Sequence, residues 1–377
     1  MSTQGKKMPM IRYPFWTPQV GTAEHGLIAR TLNSNYLNEG DLTERFESQV
    51  AQMLGCRFVV AVTSGTAALY LSLKALGIGA GDEVIVPDVT FIATANAVTM
   101  TGATPVPVDV NPMTLNIAPD AVRASITPRT AAVIPVHVSG RAADLQSIQK
   151  IAEQHALHVI EDAAEAMMSR SRGRCLGTIA KLGCFSLSPN KTISTGQGGL
   201  VATDDRKLHE RLRELKDQGR SVRGTGGADA HPVVGFNFKF TNLQAAVGIG
   251  QLEMLPQRID RLRAIQRRYA SNLRGVDGIL LYGFREGEVP QWVDARVDRR
   301  DELIEFLAAR GAQCRPFWHP LHTHPPYRKD DADFADSCRV GPQSVWLPSS
   351  FTLSDQDVDE VCSFIRTFLS GARAKAA

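Results

Sequence analysis

Residues 58–76 have the sequence FVVAVTSGTAALYLSLKAL, in which a short apolar run leads through a polar turn into an amphipathic stretch. An apolar run of this length, bounded by turn residues, is typical of a buried strand, and the stretch from Ala67 onward has helical spacing. Gly65 gives the turn its conformational freedom. The segment therefore predicts a strand, a tight turn and a helix.

The same alternation continues along the chain as far as residue 160. Apolar runs lie at 83–86, 105–110, 131–138 and 158–160, and stretches of helical spacing lie between them at 92–100 and 145–155. Strands that alternate with helices form crossovers on a largely parallel sheet. Since ligands on such sheets bind at the carboxyl ends of the strands, we expect the functional residues there.

The remainder of the chain predicts a second, smaller domain. A strand at 200–203, a charged helix at 205–216 and a helix at 241–255 precede Pro256, and 219–231, rich in Gly, Arg and Ser, is expected to be a mobile loop. Beyond Pro256 we expect a helix at 258–273, a strand-helix-strand unit at 291–297, 302–310 and 313–318, and a terminal helix at 355–369. The sequence thus predicts an N-terminal arm and large α/β domain (1–255) and a small α+β domain (256–377).

Composition excludes several classes of protein. The chain has 377 residues, 43% hydrophobic and 21% charged, and its net charge of +3 predicts no nucleic-acid partner. We expect the arginines after Pro256 to form a solvated helix face: Arg258, Arg261, Arg263, Arg267 and Arg268. Residues 1–20 have no apolar h-region and no run of about 18 apolar residues occurs, so we expect neither export nor membrane spanning, and a cytoplasmic location.

The cysteines and histidines do not predict a metal. Six cysteines are scattered without CxxC spacing, which is typical of reduced, structural thiols. Three imidazoles, those of His319, His322 and His324, lie close together in HPLHTH. The prolines there favour an extended path and no Cys or carboxylate is close in sequence, so we predict no metal site.

Lys191 and Asp162 predict a lysine-bound pyridoxal phosphate. Lys191 lies in FSLSPNKTISTGQGG (185–199), whose small residues let a bulky ligand approach the backbone, and Asp162 ends the strand pattern of VIEDAAEA (159–166). The cofactor needs an amine to hold its aldehyde and an acid on its pyridine nitrogen. The simpler interpretations are a surface lysine and an Asp that caps the Ala-rich stretch as a helix.

Residues at other predicted strand ends complete the cofactor site. Ser64, Gly65 and Thr66 open a helix and predict a phosphate cradle, although ordinary helix capping explains them as well. Ser186 is a further phosphate donor. Phe91, in TFIATANA (90–97), is a candidate to stack on the ring, or simply a core residue.

The ordered motifs resemble those of the DegT/DnrJ/EryC1/StrS family of sugar aminotransferases over nearly the whole chain. They are SGTAAL (64–69), TFIATANA, EDAA (161–164), Asn190-Lys191 with its TGQGG tail (195–199), and GFNFKFTNLQAA (235–246). The resemblance implies a fold-type I enzyme of the aspartate aminotransferase superfamily. It also implies a homodimer with shared active sites, which moves the amino group of L-glutamate to a nucleotide-linked keto sugar.

The resemblance also implies roles for individual residues. Lys191 would bind the cofactor covalently and Asp162 would pair with the pyridinium nitrogen. Around the cofactor it implies Ser64, Gly65, Thr66, Phe91, Glu165 and Ser186, with Asn237 reaching the phosphate from the other subunit. Near the substrate it implies Arg315, His322 and Lys239, and Lys239 stands where the family usually has Arg.

Within the family, the chain most resembles the GDP-perosamine synthases, which aminate GDP-4-keto-6-deoxymannose at C4. The resemblance lies in residues 190–196, in Glu165 and in HPVVG (231–235), whereas Ser188-Pro189 departs from it. An aminotransferase acting on another 3- or 4-keto sugar, carried on dTDP or UDP, is the alternative. Arg220 and Arg223 are candidates to bind the diphosphate, or serve loop solubility.

Three other functions compete with transamination. Sugar 3-dehydratases of this fold carry His at the lysine position, and Lys191 disfavours that branch. A non-catalytic scaffold that binds the cofactor is a second alternative. A dinucleotide-binding protein is a third, but Gly196-Gln197-Gly198-Gly199 precedes a strand instead of opening a helix.

Overall fold

A computed structural model describes residues 10–221 and 229–376, and the side chains of residues 372–376 lie outside this description. Two helices precede the first strand, α1 (Thr22–Asn33) and α2 (Asp41–Leu54). The strands up to residue 203 are β1 (Phe58–Val62), β2 (Glu83–Pro87), β3 (Thr104–Val108), β4 (Thr130–Val133), β5 (His158–Asp162), β6 (Arg170–Ser171), β7 (Arg174–Cys175), β8 (Leu182–Ser186) and β9 (Gly199–Thr203). Between and after them lie α3 (Gly65–Ala75), α4 (Ala93–Met100), α5 (Pro119–Ala124), α6 (Leu145–Gln154) and α7 (Arg206–Lys216).

The main sheet is largely parallel, which confirms the predicted α/β fold. In the described residues it has seven strands in the order β1-β9-β8-β5-β4-β2-β3. The pairs from β8 to β3 are parallel, and β9 is antiparallel to both β1 and β8. Because β1 and β8 both oppose β9, they run in the same direction. The carboxyl ends of β1, β2, β5 and β8 therefore meet at one edge.

Helices cover both faces of the sheet, as the alternation of side chains on β1 shows. Val59 packs with residues of α2 such as Phe46, whereas its neighbour Val60 packs on the other side with residues of α3 such as Leu71. Successive residues of a strand point to opposite faces, so a strand buried on both sides is apolar throughout. This is why β1 appears in the sequence as an uninterrupted apolar run.

Strand β4 is shorter than the predicted 131–138. After Val133 the regular strand ends, and the segment stays beside β5 through a parallel bridge between Val136 and Asp162, in which the His137 N–H donates to the Asp162 carbonyl at 3.0 Å. At Ser139 the backbone takes a left-handed conformation with φ 53°. Residues 134–138 are buried in this segment, and the pattern could not distinguish burial with partial pairing from a regular strand.

One long helix, α8 (Asn242–Asn272), continues through Pro256, so the predicted interruption there is wrong. A proline in a helix removes one backbone hydrogen bond. The helix is nevertheless held by buried residues on both sides of the proline, Leu255 and Leu262. The predicted division at residue 255 falls inside this helix, and the division stays a prediction.

The C-terminal part is an α+β layer with a four-stranded antiparallel sheet, in the order β10-β11-β13-β12. Its strands are β10 (Ile279–Leu281), β11 (Asp294–Val297), β12 (Arg315–Pro316) and β13 (Ser344–Trp346), and its helices are α9 (Arg300–Ala308), α10 (Ala335–Val340) and α11 (Asp355–Ala376). Among the described helices, none combines the length and the apolar character required to cross a membrane.

Candidate active site

The predicted phosphate residues meet where β1, β8 and β9 pair. Gly199, the first residue of β9, lies opposite both Val62 and Ser186. A Cβ on Gly199 would lie 2.2 Å from the Ser64 carbonyl oxygen, and a Cβ on Gly65 would lie 3.0 Å from the Ser186 Cβ. A side chain at Gly199 would overlap the Ser64 backbone and one at Gly65 would press on Ser186, so glycine lets these segments pack closely. Gly65 and Ser186 thus lie next to each other, and their contact with a phosphate stays a prediction.

The cradle also lies at a helix N-terminus. Ser64 is the N-cap of α3, and its hydroxyl accepts the Ala67 N–H at 3.0 Å. Capping and anion binding are therefore compatible here, since the cap uses one amide of the first turn. Thr66 follows in that turn and is half-buried. Helix N-termini with free amides attract phosphate groups.

Asp162 lies at the end of β5, with its carboxylate buried against α4. Its Oδ2 accepts the Thr94 hydroxyl at 2.9 Å, and its Oδ1 accepts the Ala164 N–H at 3.1 Å. Burial raises the pKa of Asp162, an effect that these two donors and the Lys191 charge oppose. Residues 164–168 form turns and no helix, so the N-cap interpretation is wrong. A cationic N–H at this carboxylate would stabilise its ionised form.

Lys191 extends toward the same end of the sheet. Its Nζ donates to the Glu165 carboxylate at 3.1 Å and lies 4.8 Å from the centre of the Trp292 ring. The other oxygen of Glu165 accepts the Ser139 N–H at 2.9 Å, which the left-handed turn presents. Burial raises the pKa of Glu165, and the Lys191 charge opposes that shift. The lysine is thus enclosed by an acid and an indole, and is not a surface residue.

The turn that carries Lys191 is held by residues distant in sequence. Gln291 accepts from the Thr192 hydroxyl at 2.7 Å and donates to the Asn190 carbonyl at 3.1 Å. Arg258 donates to the Thr192 carbonyl at 2.9 Å. With only 4% of its surface exposed, Arg258 does not belong to the solvated helix face that the sequence predicted. No local pattern pairs these residues with Lys191, so sequence reasoning missed them.

Other predicted residues lie at exposed positions. Phe91 precedes α4 with 57% of its surface exposed, so the alternative that it is a core residue is wrong. Asn237 is exposed and its backbone bridges to Asp217. Lys239 donates to the Asp217 carboxylate at 2.5 Å, so its ammonium is paired within the chain. Contact of Asn237 with a second subunit stays a prediction.

The residues proposed for the substrate are not brought together in this chain. Arg315 is exposed, 5.5 Å from the Phe15 ring centre. His322 is fully buried and bonded to Asp88, an arrangement that does not support the predicted direct contact with a sugar. Arg220 pairs with Asp229 at 3.0 Å, and Arg223 lies outside the described residues, as does much of the predicted mobile loop.

Comparison with known proteins agrees with this geometry. A model of the DegT/DnrJ/EryC1/StrS aminotransferase family matches residues 18–366. The chain belongs to this family. Like other members it is a pyridoxal phosphate-dependent transaminase, which overturns the alternative of a non-catalytic scaffold.

Relatives within the family differ in the sugar they act on. A GDP-perosamine synthase from Caulobacter vibrioides is 36% identical over 362 residues, 91% of this chain and 95% of the relative. A dTDP-3-amino-3,4,6-trideoxy-alpha-D-glucose transaminase from Streptomyces venezuelae is 40% identical over 304 residues, 80% of this chain and 79% of the relative. The crystal structure of S. venezuelae DesV with a ketimine intermediate has a TM-score of 0.88 at 35% identity, and covers 94% of this chain and 99% of that one.

The residues of this family member fit the cofactor. When bound, pyridoxal phosphate supplies an aldehyde that takes up amino groups and a ring that withdraws electrons. The N-terminus of α3 at Ser64 suits its phosphate, and the buried carboxylate of Asp162 suits a protonated ring nitrogen. Lys191 supplies the amine, since its Nζ contacts Glu165 near the end of β5, where Asp162 lies.

Proposed function

We propose that this enzyme transfers the amino group of L-glutamate to C4 of GDP-4-keto-6-deoxymannose and forms GDP-perosamine. The observation that supports amino transfer at this site is the contact of the Lys191 amine with Glu165 beside the buried carboxylate of Asp162. The sugar is proposed from the Caulobacter vibrioides GDP-perosamine synthase, whose likeness extends over 95% of its length. The segments 190–196 and 231–235 favour the same subgroup.

Each residue of the pocket has a distinct part in the proposed reaction. Lys191 would hold the cofactor by its Nζ, and its free amine would move the proton from one carbon to another. Glu165 holds the released amine by the 3.1 Å hydrogen bond. Asp162 keeps the ring nitrogen protonated through its carboxylate, which Thr94 and the Ala164 N–H orient.

The second candidate substrate is a dTDP-linked 3-keto sugar. Its support is the Streptomyces venezuelae transaminase, which is more similar to this chain, at 40% identity, over a shorter stretch of 304 residues. The two candidates differ in both the nucleotide and the carbon that receives nitrogen. Pocket contacts that distinguish them involve specific loops and not the shared fold.

A substrate panel distinguishes the candidates. Purified enzyme with pyridoxal phosphate and L-glutamate is incubated with GDP-4-keto-6-deoxymannose and with dTDP- and UDP-linked 3-keto and 4-keto sugars. Release of 2-oxoglutarate and the mass of the amino sugar are followed. We expect turnover of the GDP sugar; turnover of only dTDP or UDP sugars would overturn the proposed substrate and leave the family assignment intact.

We also propose that the enzyme is a homodimer in which Asn237 contacts the cofactor phosphate of the partner subunit. Support comes from the exposure of Asn237 and of Phe91 in the single chain. A hybrid experiment tests this proposal: Lys191→Ala and Asn237→Ala protomers, each inactive alone, are mixed after mild dissociation. If each site uses Lys191 of one chain and Asn237 of the other, a hybrid dimer has one site with both substitutions and one site with neither. Part of the activity should therefore return. No recovery in verified hybrids would contradict a shared site.

A further inference from the structure

His322 lies where three separate segments of the chain meet. It belongs to the short 3-10 turn Leu321–Thr323, and its ring is fully buried. Asp88 approaches from the end of β2, Asp331 from the turn Asp331–Asp333, and Cys338 from α10. None of these residues contributes to the Lys191 pocket described above. The cluster has no part in the proposed transamination.

Two of the three distances between the potential ligand atoms match the edges of a tetrahedral metal site. The His322 Nε2 lies 3.4 Å from Asp331 Oδ1 and 3.5 Å from Cys338 Sγ. All three potential ligand atoms lie within 4.8 Å of one another. Bonds of about 2.1 Å to nitrogen and oxygen and about 2.3 Å to sulfur give tetrahedral edges of about 3.4 Å for N···O and about 3.6 Å for N···S. The side chains therefore need little movement to bind one ion.

The orientation of His322 is fixed by Asp88. The ring Nδ1 lies 2.6 Å from Asp88 Oδ2, and the His322 backbone N–H donates to Asp88 Oδ1 at 2.8 Å. The Phe334 ring stacks on the imidazole with 4.2 Å between centroids and 1° between planes. A proton held on Nδ1 by a carboxylate leaves the Nε2 lone pair free to bind a metal, the arrangement found behind zinc-binding histidines. The free Nε2 faces Asp331 and Cys338.

We propose that His322 Nε2, Cys338 Sγ and Asp331 Oδ1 form a binding site for Zn²⁺, with Asp88 as the residue that positions the imidazole. A nitrogen, a thiolate and a carboxylate together favour Zn²⁺ over Mg²⁺ or Ca²⁺, which prefer oxygen ligands. Three protein ligands leave one coordination position for water. On binding, the Cys338 thiol loses its proton to solvent and the thiolate becomes the ligand.

This site revises the sequence prediction of no metal. That prediction considered His319, His322 and His324 as a group. In the structure His319 and His324 face each other edge-on at 6.3 Å, and His322 alone joins the cluster. The carboxylate and thiol are supplied by Asp331 and Cys338, outside the HPLHTH segment. The bound ion would tie the 331–338 segment, through His322, to Asp88, three residues before Phe91.

Cobalt substitution tests the proposal. Holoenzyme is stripped with a chelator, titrated with Co²⁺, and compared with zinc-loaded holoenzyme so that cofactor absorption cancels in the difference spectrum. We expect one Co²⁺ per chain and a charge-transfer band from thiolate to cobalt. Cys338→Ser should lose this band, whereas Cys56→Ser, at a half-buried thiol elsewhere in the chain, should keep it.

Two further variants make the test specific. Asp88→Asn should weaken Co²⁺ binding about 10- to 100-fold, because it removes the carboxylate behind the imidazole. Asp331→Asn should weaken it as well, and since 75% of the Asp331 side chain is exposed, this variant should fold normally. If folded wild-type protein binds no Co²⁺, or if Cys338→Ser and Asp331→Asn bind it as the wild type does, the proposal is wrong. The cluster would then be a set of hydrogen bonds around the His322 ring.

Discussion

Carboxylates at the two edges of the main sheet have opposite surroundings. At the amino end of β2, Glu83 accepts the Thr127 hydroxyl at 2.5 Å and the Arg129 Nε at 3.0 Å. The Thr127 hydroxyl, followed by Arg129, lowers the pKa of Glu83 despite its burial. At the carboxyl ends, burial dominates instead and raises the pKa of both Asp162 and Glu165.

This difference in pKa indicates that Glu83 stabilises the fold, whereas Asp162 and Glu165 serve the site. The ionised form of Glu83 is satisfied by groups of this chain, so its charge contributes to folding. For Asp162 and Glu165 the cost of burying the ionised form outweighs the donors within the chain, so their pKa values are raised. Carboxylates with raised pKa values in a pocket are typical of functional sites, where a bound group completes their environment. We propose that the cofactor is that group for Asp162.

Removing the amine at the carboxyl edge should have the largest effect. We expect Lys191→Ala to slow the glutamate half-reaction by about 10⁴-fold, because the proton carrier is lost. The protein should stay folded, since Glu165 keeps its bond to the Ser139 N–H. Stopped-flow absorbance measures the half-reaction, and Lys150→Ala, at an exposed lysine on α6, is the matched control. Normal cofactor absorbance with a full rate in Lys191→Ala would contradict the assignment.

Neutralising Asp162 should have the next largest effect. Asp162→Asn keeps the size of the side chain but removes the charge that holds the ring nitrogen protonated, and we expect a loss of about 10²- to 10³-fold in the half-reaction. An unchanged rate would show that the carboxylate does not act on the ring.

The cofactor-free protein gives an independent measurement on Asp162. Its pKa is raised in the folded state, so the folded protein binds the proton more tightly than the unfolded chain. This stability is present below the ordinary Asp pKa of about 3.9 and is lost as pH rises through the raised value. Melting temperatures of the cofactor-free Asn variant should therefore depend less on pH than those of the wild type.

Glu165→Gln should have a smaller effect that depends on pH. Replacing a charged acceptor by a neutral one weakens the hydrogen bond to Lys191 by about 1.4 kcal/mol, which corresponds to about tenfold in rate at neutral pH. In the wild type the ion pair is lost as pH falls through the raised pKa of Glu165, above the ordinary value of about 4.3. A pH profile of kcat should show this acid limb in the wild type, and its persistence in the Gln variant would exclude Glu165 as its source.

A substitution at the amino edge of the sheet should have the smallest effect, and it should change only the stability of the protein. Glu83→Gln should lower the free energy of unfolding by about 0.5–1 kcal/mol at pH 7, because 69% of the Arg129 side chain is exposed and solvent screens the pair. The folded pKa is lowered, so this stabilisation is present above the ordinary Glu pKa and disappears as pH falls through the folded value. Urea denaturation at pH 7 and at low pH measures both effects, with kcat unchanged. A loss of kcat in Glu83→Gln would mean that this edge of the sheet influences the site at the carboxyl ends of the strands.

Local patterns predicted the strands and helices of the large domain well. The run at 58–62, for example, forms β1 with the predicted bounds, since burial on both faces leaves a continuous apolar signature. The prediction was wrong at 134–138 and at Pro256, where residues are buried by segments distant in sequence. A pattern records that a residue is apolar, but not which partner covers it.

The sequence by itself determined the chemical groups of the site and their positions at strand ends. Lys191, Asp162 and the Ser64-Gly65-Thr66 turn were predicted from short motifs, because the conformation of a turn depends on adjacent residues. The tertiary structure alone decided how these groups are held. Gln291 bonds to Thr192 across 99 residues, and Asp88 reaches His322 across 234. Such contacts form only when the whole chain packs, so no local pattern encodes them.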